Sequence, residues 1–125
     1  MERFRQIIFH ETYYIEFYNK QPEKVKEKFD YVLFIISVAE RIPKKFFDHM
    51  TGTDGLYEIR IEFKRNIYRI FSCFDEGNIV VLFNGFQKKT QKTPIGEIEK
   101  ALKLKYEYFQ KKLKIQKDEN KKSTK

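Results

Sequence analysis

The residues with the most chemistry to offer are two arginines, Arg60 and Arg69, set on either side of the polar break Lys64-Arg65-Asn66. Both sit in alternating runs of strand formers, Tyr57 to Phe63 and Ile67 to Phe74. Side chains alternate between the two faces of a strand, so a hairpin closed at Lys64-Arg65 places Arg60 directly opposite Arg69. Closure at Arg65-Asn66 instead sets Glu62 opposite Arg69 and leaves Arg60 on the same face. Like charges held opposite one another on a sheet repel. Either Glu58 and Glu62 neutralise the pair, as in an ordinary salt-bridged surface sheet, or the pair is there to bind an anion.

The next segment adds weight to the second reading. Asn84-Gly85-Phe86-Gln87-Lys88-Lys89-Thr90-Gln91-Lys92 leaves a third strand with three lysines and runs into Thr93-Pro94, a helix start. The amides and dipole of a helix N-terminus also favour anions. A tight turn at Glu76-Gly77 places Arg69 opposite Asn84, and one at Gly77-Asn78 places it opposite Phe86. Turns of even length put Glu58, Arg60, Glu62, Arg69, Phe71, Cys73, Asn84 and Phe86 on one face. They put Ile59, Ile61, Phe63, Tyr68, Ile70, Phe74, Ile79, Val81 and Phe83 on the core side. Phe86 then offers a surface for a nucleobase. The plainer alternatives are a solvated loop for Lys88 to Lys92 and a core position for Phe86.

The elements that must position these groups are readable from hydrophobic spacing. Phe4 to Phe9 is expected as a short strand and Glu11 to Tyr18 as a short helix. Val25, Phe29, Val32, Ile36 and Ala39 recur every three or four residues after Pro22 and mark an amphipathic helix that ends before Pro43. Leu33, Phe34 and Ile35 widen its apolar face, which predicts packing on more than one side. Lys44 to Gly55 reads as a loop. Leu56 to Phe63, Ile67 to Phe74 and Ile79 to Phe86 read as a three-stranded meander. Ile95, Ile98, Leu102, Phe109 and Leu113 give the stripe of a last helix. From Lys114 the chain turns polar enough to predict a lysine-rich flexible tail over 114–125, after a single domain over 1–113. The expected architecture is α+β: an N-terminal strand and helices on one face of a small twisted, mainly antiparallel sheet, with a C-terminal helix.

Composition narrows the function classes. The 125 residues carry a net charge of +8. Met1 to Gln87 holds 13 Lys+Arg against 13 Asp+Glu, so the excess lies in Lys88 to Lys125, with 13 lysines and 5 acidic residues. A neutral body with a basic last third points to a polyanionic partner, although a lysine tail also aids solubility. The lone Cys73 excludes an intrachain disulfide and fits a reducing cytoplasm. With only His10 and His49 beside it, no Cys/His zinc site is expected. The start of the chain lacks the apolar run of a signal peptide, and Tyr31 to Ala39 is too short to span a bilayer. A cytoplasmic protein with no membrane partner is the expectation.

Three strings carry a resemblance: Gly55-Leu56-Tyr57-Glu58-Ile59-Arg60-Ile61, Tyr68-Arg69-Ile70-Phe71, and Leu82-Phe83-Asn84-Gly85-Phe86-Gln87-Lys88-Lys89-Thr90-Gln91-Lys92-Thr93-Pro94. With Glu97, Ile98 and Ala101 they resemble the HigB-like, phage-derived branch of the RelE/ParE toxin superfamily, over roughly Phe4 to Phe109. The first two motifs are widespread in that superfamily, and the Phe-Gln-Lys-Lys-Thr run is particular to the branch. The resemblance implies a type II toxin that cleaves mRNA in the ribosomal A site without a metal or other cofactor. The ribose 2′-hydroxyl attacks the adjacent phosphate and leaves a 2′,3′-cyclic phosphate and a 5′-hydroxyl. It implies scissile-phosphate stabilisation by Arg60 and Arg69 and phosphate contact or proton transfer by Lys88 and Lys89. Lys92, Phe86, Asn84 and Gln87 are implied substrate contacts. It also implies a helix-turn-helix antitoxin as partner.

One departure bears on proton transfer: no histidine follows His49, where several relatives carry a late His or Tyr. Glu58, Tyr57 or a lysine must then serve, with His49 a secondary candidate. A gyrase-poisoning toxin of the ParE type and a non-catalytic RNA- or ribosome-binding protein stay open as alternatives.

Overall fold

The computed structural model describes residues 2–123. Its elements in chain order are β1 (Gln6–Phe9), α1 (Tyr13–Asn19), α2 (Glu23–Val38), β2 (Phe47–His49), β3 (Tyr57–Phe63), β4 (Asn66–Asp75), β5 (Ile79–Lys88) and α3 (Ile95–Ser123). Among the described residues the strands form one five-stranded sheet in the order β1-β5-β4-β3-β2. β1 runs parallel to β5 and the other neighbours are antiparallel. This is the expected α+β class.

Pro22 sits at the N-cap position of α2, and the stripe Val25, Phe29, Val32 and Ile36 is buried against the sheet. Of the residues expected to widen its buried face, Leu33 packs on the core and Phe34 is exposed. Opposite the helix lie Ile59, Ile61, Tyr68, Ile70, Val80 and Leu82. Gly85 lets α1 come close: a Cβ there would run into the Phe17 ring. No described helix is long and apolar enough to cross a membrane.

The far face is covered as well, by α3. Ala101 and Leu104 pack on Phe71, Cys73, Val81, Phe83 and Phe86 in a second core. The helices therefore sandwich the sheet instead of sharing one face, and two backbone details account for it. Asp75 pairs with Ile79, so the β4–β5 loop is the odd-length run Glu76-Gly77-Asn78, with Glu76 at φ 49° and Gly77 at φ 79°. A shift between Ile70 and Ser72 then sets both Phe83 and Asn84 against Phe71, a bulge that restores the even register at Arg69. The odd loop moves Ile79, Val81 and Phe83, expected on the Ile59 side, to the opposite face.

Two other expectations are corrected. Lys44 to Gly55 is not all loop: Phe47–His49 pairs with Tyr57 to Ile59 as an edge strand. The polar end is helix, since α3 continues to Ser123. Lysine, glutamate and glutamine are good helix formers, so an exposed polar segment extends a helix that its first turns have already nucleated. Thr124 and Lys125, the end of the predicted tail, lie outside the described residues.

Candidate nucleic-acid interface

The β3–β4 hairpin closes at Lys64-Arg65, with Phe63 opposite Asn66, and Lys64 takes the left-handed conformation such turns need (φ 57°). Arg60 accordingly pairs with Arg69, which pairs in turn with Phe86 on β5. One register row toward the hairpin tip lie Glu62, Ile67 and Lys88, and one row away lie Asp48, Glu58 and Phe71. Residues two apart on a strand face the same way, so these rows share one face.

The two arginines have different surroundings. Arg69 is buried, at 7% exposure. Its Nε lies 3.1 Å from Glu58 Oε2, and its Nη1 donates to the Tyr68 carbonyl oxygen at 3.1 Å. Burial pushes the guanidinium below its ordinary pKa and the Arg60 charge adds to that, while Glu58 and Glu62 oppose it. Arg60 keeps a side-chain exposure of 36%, and its nearest carboxylate, Asp48 Oδ2, stands 3.7 Å from Nη2. The Nε of Arg60 is buried and, like that of Arg69, has no hydrogen-bond partner in the protein. Arg60 thus keeps a part-exposed guanidinium whose carboxylate neighbour is distant, whereas Arg69 and Glu58 form a buried pair.

At the hairpin tip, Arg65, Ile67, Lys88, Lys89, Thr90 and Gln91 line a shallow pocket of about 430 Å³. Three cations converge there, and Thr90 Oγ1 folds the loop by donating to the Lys92 carbonyl oxygen at 2.8 Å. Such a pocket suits a phosphate.

The structure brings together Glu58, Arg60, Arg69 and Lys88, and sets Lys89 and Lys92 in the exposed loop beyond them. Four expected contacts fall elsewhere. Phe86 is 8% exposed and stacks at 5.6 Å on Phe71, so its ring is core and not an open stacking surface. Asn84 is buried by the bulge, and its Nδ2 donates to the Glu97 carbonyl and to Glu97 Oε1 at 3.2 and 3.0 Å, docking the start of α3. Tyr57 points to the α2 side, stacked at 4.8 Å on Phe47. Gln87 pairs with Tyr68 on that same side and donates to Asn66 Oδ1 at 3.3 Å. His49 lies beside Tyr57, on the face away from the arginines.

Two residues of the face were missed. Asp48 fell in a stretch read as loop, and the alternation Phe47-Asp48-His49 was the available signal. Arg65 was read as turn only, yet a hairpin tip beside a basic strand end is a cationic position by topology. Among the described residues, no group of three or more His, Cys, Asp or Glu comes together to hold a metal ion.

The sequence matches the family described as phage-derived protein Gp49-like (DUF891) over residues 16–106. Among curated proteins no sequence matches significantly. In fold, the chain resembles one in the crystal structure of the archaeal RelE–RelB complex from Pyrococcus horikoshii OT3. The TM-score is 0.51 at 16% identity, covering 72% of this chain and 99% of that one. With almost three quarters of its length inside the family match and the sheet arginines in its paired strands, the chain belongs to the phage-derived Gp49-like family of RelE/HigB-type toxins.

Proposed function

We propose that this protein is the toxin of a type II toxin–antitoxin pair and that it inhibits translation by cleaving mRNA in the ribosomal A site. The observation that carries the reading is the Arg60–Arg69 row, one guanidinium buried on Glu58 and the other part-exposed in a pocket it lines with Lys28, Lys45 and Lys64. In the cleavage, the 2′-oxygen forms a bond to phosphorus and the bond from phosphorus to the 5′-oxygen breaks. The products are a 2′,3′-cyclic phosphate and a 5′-hydroxyl. Negative charge builds on the non-bridging oxygens of the crowded phosphorane, and Arg60 donates to them. Arg69 adds its field from beneath and, through the pairing of β4 with β3, fixes where Arg60 can reach.

Lys88 protonates the departing 5′-oxygen, and the proton of the 2′-hydroxyl leaves to solvent. Lys89, Lys92 and Arg65 hold flanking phosphates, so binding weakens as salt rises. The cognate antitoxin, a helix-turn-helix protein, inhibits by covering this basic face. The RelE-like neighbour was crystallised with its own partner RelB, which supports a protein inhibitor here.

Primer extension on an mRNA in a purified translation reaction tests the reading, with wild type beside Arg60→Ala. Ribosome-dependent cuts at A-site positions are expected from the wild type and not from the variant. A folded wild type that makes no cuts overturns the ribonuclease reading. Gyrase inhibition, or ribosome binding without cleavage, would then identify the alternative.

A further inference from the structure

α3 is longer than the sheet it packs on. Lys112 anchors it to the strands, its Nζ donating to Asp75 Oδ1 and Oδ2 at 2.8 and 3.0 Å. The helix then runs on to Ser123, roughly 16 Å further at 1.5 Å per residue. Along its outer side Leu102, Tyr106, Phe109 and Leu113 recur at spacings of four, three and four, the a/d spacing of a coiled-coil seam. Leu102, Tyr106 and Leu113 are 37%, 67% and 50% exposed. Phe109 forms the inner edge of the stripe, half-buried against Tyr108 at 5.0 Å. Single exposed apolar residues are ordinary, but a ladder of them in helical register on one side of a helix is a binding surface without its partner.

The charges beside the seam say what kind of partner fits. On its outer side the flanking positions are Lys103, Gln110 and Lys117, while on the inner side, beside Glu119, Lys105 is bonded to the Asp54 carbonyl and Lys112 to Asp75 and Glu76, so Lys103 and Lys117 set the sign of the open flank. A second copy of this chain would set lysine against lysine whether the helices ran parallel or antiparallel. A nucleic acid would answer the lysines but leave Leu102 and Leu113 with nothing to pack on. We propose that this side of α3 docks an amphipathic helix of a partner protein, with apolar residues at its seam and glutamate or aspartate flanking them. The inference does not rest on the ribonuclease reading, since none of these residues lies on the arginine face.

The test is fluorescence anisotropy with the full chain and a labelled synthetic helical peptide carrying leucine at a and d and glutamate at e and g. The same peptide with lysine at e and g and a single-stranded RNA oligonucleotide are run beside it. The glutamate peptide is expected to bind, less tightly as salt rises, and the lysine peptide not to bind. Leu113→Lys, at an exposed position the fold does not need, should weaken the complex by about tenfold or more. The double reversal Lys103→Glu and Lys117→Glu should exchange the preference between the two peptides. Cleavage by Leu113→Lys in the translation reaction should match wild type, which separates this surface from the arginine face. Equal binding of both peptides, or no binding of either, overturns the proposal. So does loss of RNA affinity in Leu113→Lys without peptide binding, which would give the face to nucleic acid. Sedimentation showing Leu113-dependent self-association in place of peptide binding would give it to a second copy.

Discussion

β4 carries a charged cluster near each end, and the two are built in opposite ways. At Asp75 the cluster is closed: the carboxylate accepts from Tyr108 Oη at 2.7 Å and from Lys112, which also reaches Glu76 Oε1 at 2.9 Å. At Arg69 it is open, because Glu58 meets one guanidinium and the neighbouring Arg60 has only a distant carboxylate. A cluster whose hydrogen-bonding capacity is used up by its own members fastens one element to another. One that repeats a single charge and leaves donors unspent is held ready for something outside the chain. The difference fits a stabilising role for the Asp75 cluster and supports the functional role proposed for the arginine row, and each can be broken separately.

The largest effect should come from splitting the two arginines. Arg60→Ala removes an exposed donor and should lower A-site cleavage about 10²- to 10³-fold, with unfolding free energy changed by no more than about 0.5 kcal/mol. Arg69→Ala leaves the Glu58 carboxylate buried without its cation and should destabilise the fold by about 3 kcal/mol, read from urea unfolding. Replacing both partners, Glu58→Leu with Arg69→Met, should recover most of that loss without restoring cleavage. If Arg69→Ala unfolds at the wild-type midpoint, the arginine row is not built around a buried pair and the contrast with Asp75 fails.

Next in size is the closed cluster itself. Asp75→Asn keeps the shape but gives up the charge-assisted bonds from Lys112, a loss of about 1.5 kcal/mol, with cleavage unchanged. The pH dependence follows from the pKa directions. Burial pushes the Asp75 carboxyl up, but hydrogen bonds from Lys112 and Tyr108 outweigh it and hold the group below its ordinary range. Its contribution is therefore full above the unfolded value of about 3.9 and disappears as pH falls through the lower folded value. Burial, with the bond to Asp75, raises the Tyr108 phenol to about 12. That part is full below the unfolded value of about 10 and is lost as pH rises through the folded one. Thermal unfolding of wild type against Asp75→Asn should show a gap that is flat near neutrality and closes below about pH 4. A gap that persists into acid would mean the carboxylate is not what binds α3.

The arginine row was legible in the sequence, and most of what surrounds it was not. Alternation is local and puts Arg60 and Arg69 on one face for either two-residue turn, whereas the closure at Lys64-Arg65, one of the two turns left open, is what sets them opposite each other. The β4–β5 register depends on the Glu76-Gly77-Asn78 loop and on the bulge at Phe71, each of which shifts the pattern by one residue. Together they restore the row at Arg69 while carrying Val81 and Phe83 to the α3 side, where that helix needs a floor. Phe86 and Asn84 were misread for the same reason: an uncovered face was assumed, and α3 covers part of it. The extent of α3 was hidden by composition, since a lysine-rich run reads equally as tail or as exposed helix until its nucleated first turns are known.

Asn84 joins the two regions and gives the smallest and most discriminating effect. It sits in the bulge on β5, one register step from the arginine row, and was a candidate substrate contact on sequence grounds. In the structure it is 2% exposed, and its amide spends both donor bonds on Glu97 at the start of α3. Asn84→Ala should cost about 1 kcal/mol of stability, since Glu97 lies near enough to water to replace what it loses. RNA affinity and its salt dependence should not move, because no atom of Asn84 reaches the open side of the face. Lys88→Ala, two rows from it across β5, should do the reverse, weakening RNA binding and flattening the salt slope by about one counterion at unchanged stability. If Asn84→Ala weakened RNA binding at unchanged stability, α3 would have to lift off the sheet to admit the substrate, and the open region would extend beneath the helix.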